Sequence, residues 1–166
     1  MGLEVAQAPR RPGWEVTVIE ATALLAKDDP ELVDIALRRI EAEGVTLKKG
    51  VSVTSIAPSG NSIAVTVTSE AGEETVTGSH LLVAAGRTPN TDGLDLDAAR
   101  IRTTPKGIKV NRSLRTTNRR VYAIGDIAGG LQFTHAASYH AGLVIRSTLF
   151  GLRATADNSL IPWCTY

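Results

Sequence analysis

Apolar and polar residues along this chain follow two rhythms, one with the spacing of a helix face and one with strict alternation, and the switches between them divide it into elements. Glu15 to Glu20 reads as a short strand ending in a carboxylate. Asp29-Pro30-Glu31 then supplies an N-cap, a proline at the first helical position and an acid in the first turn. Leu32, Ile35, Ala36 and Ile40 continue at helical spacing until Gly44 stops the helix, and Val45 to Leu47 gives another short strand. Alternating stretches over Val51–Ile56, Ser62–Thr68 and Glu74–Thr77, divided by Gly60-Asn61 and Ala71-Gly72, predict an antiparallel meander.

The unbroken apolar run Leu81–Ala85 has the character of a buried strand, followed by the turn-rich Gly86-Arg87-Thr88-Pro89-Asn90. Val121 to Ile124 predicts one more strand, ending at Gly125-Asp126. After Gly129-Gly130, Thr134 is placed to N-cap a helix whose apolar positions are Ala137, Ala141, Val144 and Ile145, and which closes at Gly151. Strands and helices interleaved in this way predict an α/β fold.

Composition narrows the function classes. The 166 residues are 43% hydrophobic, enough apolar material for one domain or two small ones. A net charge of +1 argues against an extended nucleic-acid footprint, and the basic cluster Arg112, Arg115, Arg119 and Arg120 reads as a solvated loop face. No apolar run reaches the length of about 18 residues that crosses a membrane, and no secretory leader is recognisable, so a cytoplasmic protein with no membrane contact is expected. There is one cysteine, Cys164, read as a packing residue; a dithiol–disulfide couple needs two sulfurs. His135 and His140 stand five apart on the predicted helix, the wrong spacing for a shared metal, and no metal site is expected. His80 is expected at an exposed strand start, and neither Ser138 nor Ser147 sits in a nucleophile elbow.

Candidate chemistry gathers at Gly125-Asp126. Ligands of open α/β sheets sit beyond the carboxyl ends of the strands, where a carboxylate can grip a hydroxyl. An ordinary turn, with glycine supplying positive φ and aspartate bonding nearby backbone, is the competing reading of the pair. The helix expected a few residues later tilts the balance, because its free N–H groups and positive dipole end would face the same crevice.

The stretch Thr116–Asp126 resembles the second flavin-binding motif of the flavoprotein disulfide reductases, the class I pyridine nucleotide family that includes dihydrolipoamide dehydrogenase, glutathione reductase and mercuric reductase. Four further motifs agree in order. Gly2 to Ala8 resembles the last glycine and first helix of the dinucleotide fingerprint, although Pro9 falls within that helix, where proline can cost about 3 kcal/mol. Glu20 follows Gly2 by 18 residues, near the spacing of the acid that accepts from the adenosine ribose. Gly86-Arg87-x-Pro89-Asn90 resembles the family's exit from the NAD domain, and Ile161-Pro162-Trp163 resembles the entry to the dimerisation domain in mercuric-reductase-like members.

The resemblance implies a partial Rossmann-like FAD/NAD(P)-binding fold with the antiparallel meander. Residues 1–86 would be an NAD(P)-binding domain lacking its first strand and first two glycines, 87–156 the C-terminal part of the FAD-binding domain, and 157–166 the start of the dimerisation domain. Cofactor contacts would come from Gly2, Glu4, Glu20, Gly86, Arg87, Gly125, Asp126, Phe133, Thr134 and His135, the last three through backbone N–H groups; no catalytic residue is assigned. Arg87 could touch cofactor or only tie the domains, and Glu20 could be an ordinary strand-end charge. Glu20 would repel a 2′-phosphate and no arginine follows it before Arg38, so NAD is favoured over NADP. The implied enzyme is a homodimer that passes hydride from NAD(P)H to FAD and on to a disulfide or metal-ion acceptor. This chain would be an internal fragment, truncated at both ends and inactive alone. The alternatives are an FAD/NAD oxidoreductase without a redox disulfide, such as an NADH oxidase or ferredoxin-reductase-like enzyme, and a non-enzymatic nucleotide-binding module.

Overall fold

The structure is a computed structural model that describes residues 2–163, so Cys164 lies outside the described residues. The chain divides into two compact units, residues 2–85 and Gly86–Trp163, both built from mixed helices and strands.

In the first unit, helix α1 (Gly2–Arg10) precedes strand β1 (Thr17–Glu20), helix α2 (Pro30–Ala42) and strand β2 (Thr46–Lys49). β1 and β2 pair in parallel, from Thr17 opposite Thr46 to Glu20 opposite Lys49, with α2 as the crossover. Asp29 caps α2 through a 3.0 Å bond from the Glu31 amide, and Pro30 opens the helix where its lacking N–H costs nothing. α1 passes through Pro9 and stops one residue later at Arg10, so the proline disrupts only the last turn.

Leu3 and Ala6 of α1, Leu37 of α2 and Val45 form buried points of this layer. The two helices are stitched at their C-terminal ends: the Gln7 amide donates to Glu43 Oε2 at 2.8 Å, and Arg10 Nε to the Glu43 carbonyl at 3.0 Å. The meander is present as β3 (Ser52–Ser59), β4 (Ser62–Ser69) and β5 (Gly72–Gly78), paired antiparallel in that order. Val65 and Val67 of the central strand are its buried side chains.

Two expected strands do not form. Leu81–Ala85 pairs with no strand among the described residues, and Leu82 and Val83 stay 61% and 72% exposed. An apolar run becomes a buried strand only when its backbone pairs with a neighbouring edge, and this run makes no such pairing. His80 therefore opens no strand; it stacks on Trp14 with ring centroids 6.0 Å apart. Likewise Val121–Ile124 is reduced to one antiparallel bridge between Tyr122 and Arg115, because its hydrogen bonds go to the loop just before it: Ala123 N–H to Leu114 O and Thr116 N–H to Val121 O.

The second unit is mostly loops around Ile101, Ile108 and Ala123, with Leu96, Val110, Val121 and Ile127 packed against them. The short pair β6 (Thr103–Thr104) and β7 (Gly107–Ile108) lies beside a 3₁₀ turn at Gly125–Ala128. Helix α3 (Thr134–Leu149) packs on that turn. Thr134 is its first helical residue rather than its N-cap. Phe133 takes the extended cap conformation and offers no capping bond; its ring stacks on His135 at 5.3 Å and 7°, so an aromatic pair fixes the helix entry in place of a hydroxyl.

Candidate functional site

Gly125 is the pivot of the second unit's site. It has φ +67, in the left-handed region that glycine enters without strain, and a Cβ there would lie 3.0 Å from the Ala137 Cβ. The 3₁₀ turn that begins at Gly125 therefore sits directly against the first turn of α3. Its amide N–H donates to His140 Nδ1 at 3.3 Å, and His140 is 2% exposed. Asp126, next in the chain, is exposed, and its carboxylate makes no hydrogen bond among the described residues. An aspartate spending its carboxylate on its own turn is thus not what the structure shows.

Beside it, the first intrahelical bond of α3 runs from Ala137 N–H to Phe133 O. The amides of Thr134 and His135 come before that bond, in the turn where a helix carries unpaired donors and its partial positive charge. Arg87 Nη1 donates to Gln132 O at 3.1 Å, pinning the loop that enters α3 from within the same unit. His135 Nε2 lies 2.7 Å from Pro162 O, which makes that nitrogen the protonated one and ties α3 to the Ile161-Pro162-Trp163 segment. Gly125, Asp126, Arg87, Phe133, Thr134 and His135 are accordingly held around one helix entry. Gly86, at φ +113, provides the bend from which Arg87 departs.

This set suits the ribityl and ring-edge portion of a flavin: a free carboxylate as acceptor for hydroxyls, unpaired amides as donors to an anionic ring edge, and a glycine whose replacement would crowd α3. Aromatic stacking at the helix entry keeps those amides fixed.

The first unit holds the other candidates. Gly2 and Glu4 lie in the first turn of α1, Glu4 exposed. Arg10 Nη1 bonds the Trp14 carbonyl at 3.0 Å, so the end of α1 meets the approach to β1, and the helix start is left on the side of the strand's carboxyl end. A Cβ on Gly2 would meet Ala84 Cβ at 3.6 Å, an ordinary contact, so close packing within the described residues does not demand a glycine there. Glu20 ends β1 and is half-buried; one oxygen, Oε1, accepts from both the Thr22 amide and the Thr22 hydroxyl at 2.8 Å. The Thr22 backbone bond, followed by its hydroxyl, holds the Glu20 carboxyl below its ordinary value against the opposing effect of burial. It stays anionic, with Oε2 not engaged by Thr22.

Sequence reasoning missed His140. Its contact with Gly125, 15 positions earlier and outside α3, is invisible in one dimension, and only the wrong spacing to His135 was legible. Charge was also averaged away: residues 1–85 carry 7 basic and 12 acidic side chains, whereas residues 86–163 carry 11 and 5. The five ion pairs found among the described residues all lie in the first unit, two of them on Glu43, which Gln7, Arg39 and Arg11 hold below its ordinary carboxyl range. In the second, Arg115 instead lies 5.3 Å over the Tyr122 ring and donates to its hydroxyl at 2.7 Å. No group of His, Cys, Asp and Glu among the described residues could hold a metal, and no helix there is long and apolar enough to cross a membrane.

Comparison with known proteins finds relatives across the whole chain. The sequence profile of the pyridine nucleotide-disulphide oxidoreductases matches residues 1–141. A mercuric reductase from Lysinibacillus sphaericus is 33% identical over 168 residues, covering 100% of this chain and 31% of the relative. A dihydrolipoyl dehydrogenase from Bacillus subtilis is 32% identical over 169 residues, covering 100% and 36%. Among solved structures, the Cu(II) complex of the HOCl-induced flavoprotein disulfide reductase RclA from Escherichia coli superposes with a TM-score of 0.83 at 29% identity, over 93% of this chain and 35% of that one. LpdA from Mycobacterium tuberculosis gives 0.82 at 26%, over 93% and 34%. The chain thus spans about a third of the length of the proteins it matches.

Proposed function

This chain belongs to the pyridine nucleotide-disulphide oxidoreductase family, and from that premise we propose that it supplies cofactor contacts to an FAD-dependent enzyme moving hydride from NAD(P)H to FAD and electrons onward to a disulfide or metal-ion acceptor. In this reading residues 1–86 are NAD(P)-binding, 87–156 are the C-terminal part of an FAD-binding domain, and 157–166 begin a dimerisation domain. The partner expected is a second copy, in a cytoplasmic homodimer. The observation that carries the reading is the Gly125 turn locked against α3, with a free Asp126 carboxylate beside unpaired helix amides.

Bound FAD supplies the two-electron chemistry, accepting hydride and passing electrons on. This chain's residues do the rest. Asp126 accepts hydrogen bonds from ribityl hydroxyls. The amides of Phe133, Thr134 and His135 face the ring edge that becomes negative on reduction, where a helix start contributes between about 0.3 and 2 kcal/mol. Glu20, with Gly2 and Glu4 on the same side of its unit, accepts from the adenosine ribose of NAD and repels a 2′-phosphate. With one cysteine, these 166 residues cannot form an internal disulfide couple, so alone they bind cofactor without reducing a disulfide.

Titrating the purified chain with FAD, followed by quenching of flavin fluorescence, tests the reading. Asp126→Ala removes charge-assisted hydrogen bonds and is expected to weaken FAD by about 10-fold or more. Unchanged affinity in that variant, or no FAD binding by the parent chain, would sink the proposal. NADH-dependent disulfide reduction by the 166 residues would contradict the inactivity claim.

A further inference from the structure

His140 is the most buried polar side chain of the second unit, and nothing in the cofactor reading uses it. Both its ring nitrogens are engaged. Nδ1 receives the Gly125 N–H at 3.3 Å and must be the unprotonated nitrogen; Nε2 is then the protonated one, and it lies 3.2 Å from Asn158 Oδ1, an acceptor. Asn158 opens the 3₁₀ turn Asn158–Leu160, itself anchored by Asp157, whose carboxylate accepts from Ser159 and whose amide donates to the Tyr139 hydroxyl at 3.1 Å. Immediately beyond, Pro162 O accepts from His135 at the start of the same helix. Two histidines of α3 therefore grip one segment, and one of them also grips the Gly125 backbone.

We infer that His140 is a positioning residue: with its ring set by Asn158, it fixes the Gly125 amide and so the direction in which Asp126 presents its carboxylate. The chain Asn158–His140–Gly125 couples residues 158–162 to the cofactor turn, so that displacing the segment alters flavin affinity although no residue in it touches flavin. Asn158 reinforces the tautomer that the Gly125 N–H requires. An amide oxygen accepts only from an Nε2–H, which leaves Nδ1 free for Gly125. This inference rests on the flavin reading of Asp126, but the ring geometry does not.

The first readout needs no cofactor. Long-range ¹H–¹⁵N NMR correlations on the full chain are expected to show His140 as the Nε2–H tautomer, with Nδ1 unprotonated. In Asn158→Leu, at an exposed position, the ring loses its acceptor and the spectrum is expected to become a mixture of tautomers. The Nδ1–H form in the parent chain, or no change in the variant, would overturn the relay.

The second readout is FAD affinity. Losing one ordering hydrogen bond is expected to weaken FAD about fivefold in Asn158→Leu, whereas Asn158→Asp, still an acceptor, stays near the parent value. His140→Leu should lose at least as much, and His140→Gln, which keeps an acceptor for Gly125, should recover part of it. FAD binding by the parent that ignores all four substitutions overturns the relay alone; absence of FAD binding by the parent overturns the flavin reading, and with it the coupling, while the tautomer result stands separately.

Discussion

Replacing Gly125 with alanine separates two costs that are usually confounded. Gly125 and Gly151 lie in the same unit with nearly the same backbone, φ +67 and +65. A methyl at Gly151 meets nothing within 4 Å, whereas at Gly125 it meets Ala137 Cβ at 3.0 Å. Both substitutions force alanine into the left-handed region, at about 1–2 kcal/mol, partly offset by the less flexible unfolded chain. Only Gly125→Ala adds crowding between the 3₁₀ turn and α3, and overpacking of this kind costs about 1–3 kcal/mol. Gly125→Ala should therefore be destabilised by about 1–3 kcal/mol more than Gly151→Ala, a further shift in melting temperature of about 4–8 °C per kcal/mol for a unit of this size. Urea and thermal unfolding in a Trp14→Phe background, where Trp163 fluorescence reports the second unit, measures the difference. Equal destabilisation of the two variants would refute the claim that the turn is seated tightly on α3.

The Glu20 carboxyl, held below its ordinary value by Thr22, contributes stability that is present above the unfolded-state pKa and lost as pH falls through the folded one. NMR titration should place its midpoint below that of an exposed glutamate. Thr22→Val, which keeps the dominant backbone donor, should raise it only in part; a full return to the ordinary value would show that the hydroxyl dominates. If Glu20 reads the ribose, Glu20→Gln should narrow the preference for NADH over NADPH in binding titrations, and an unchanged preference would assign it to the local turn alone. The excess of basic groups in residues 86–163 predicts that this unit gains stability as salt rises from low ionic strength to about 0.15 M, because self-repulsion is screened. Arg119→Gln with Arg120→Gln should flatten that dependence, and a melting temperature indifferent to salt would remove the electrostatic argument.

Elements carrying their own local signals were legible in the sequence. Asp29-Pro30 starts α2 as its capping chemistry requires, and the alternation through Ser62–Ser69 with its flanking turns produced the meander. Elements whose stability depends on a distant edge were not. Leu81–Ala85 has a buried strand's composition, yet composition cannot supply the neighbour whose backbone must pair with it. Thr134 has a good cap's side chain, but the chain direction set by Phe133 and His135 moved the cap one residue earlier.

At the candidate site the division is similar. Gly125-Asp126 and the following helix are covalent neighbours, so their joint appearance was written in the order of residues. His140 reaches Gly125 from 15 positions away, Asn158 reaches His140 from 18, and Arg87 reaches Gln132 from 45. The sequence by itself determined which short segments could be helix, turn or alternating strand, and where a carboxylate would follow a strand end, because those depend on interactions within a few residues. Tertiary structure alone decided which nitrogen of a buried imidazole carries the proton, which carboxylate is spent and which is left open, and which apolar run stays unpaired. Those outcomes depend on what lies across space from each group, and that is fixed only when the chain has closed on itself.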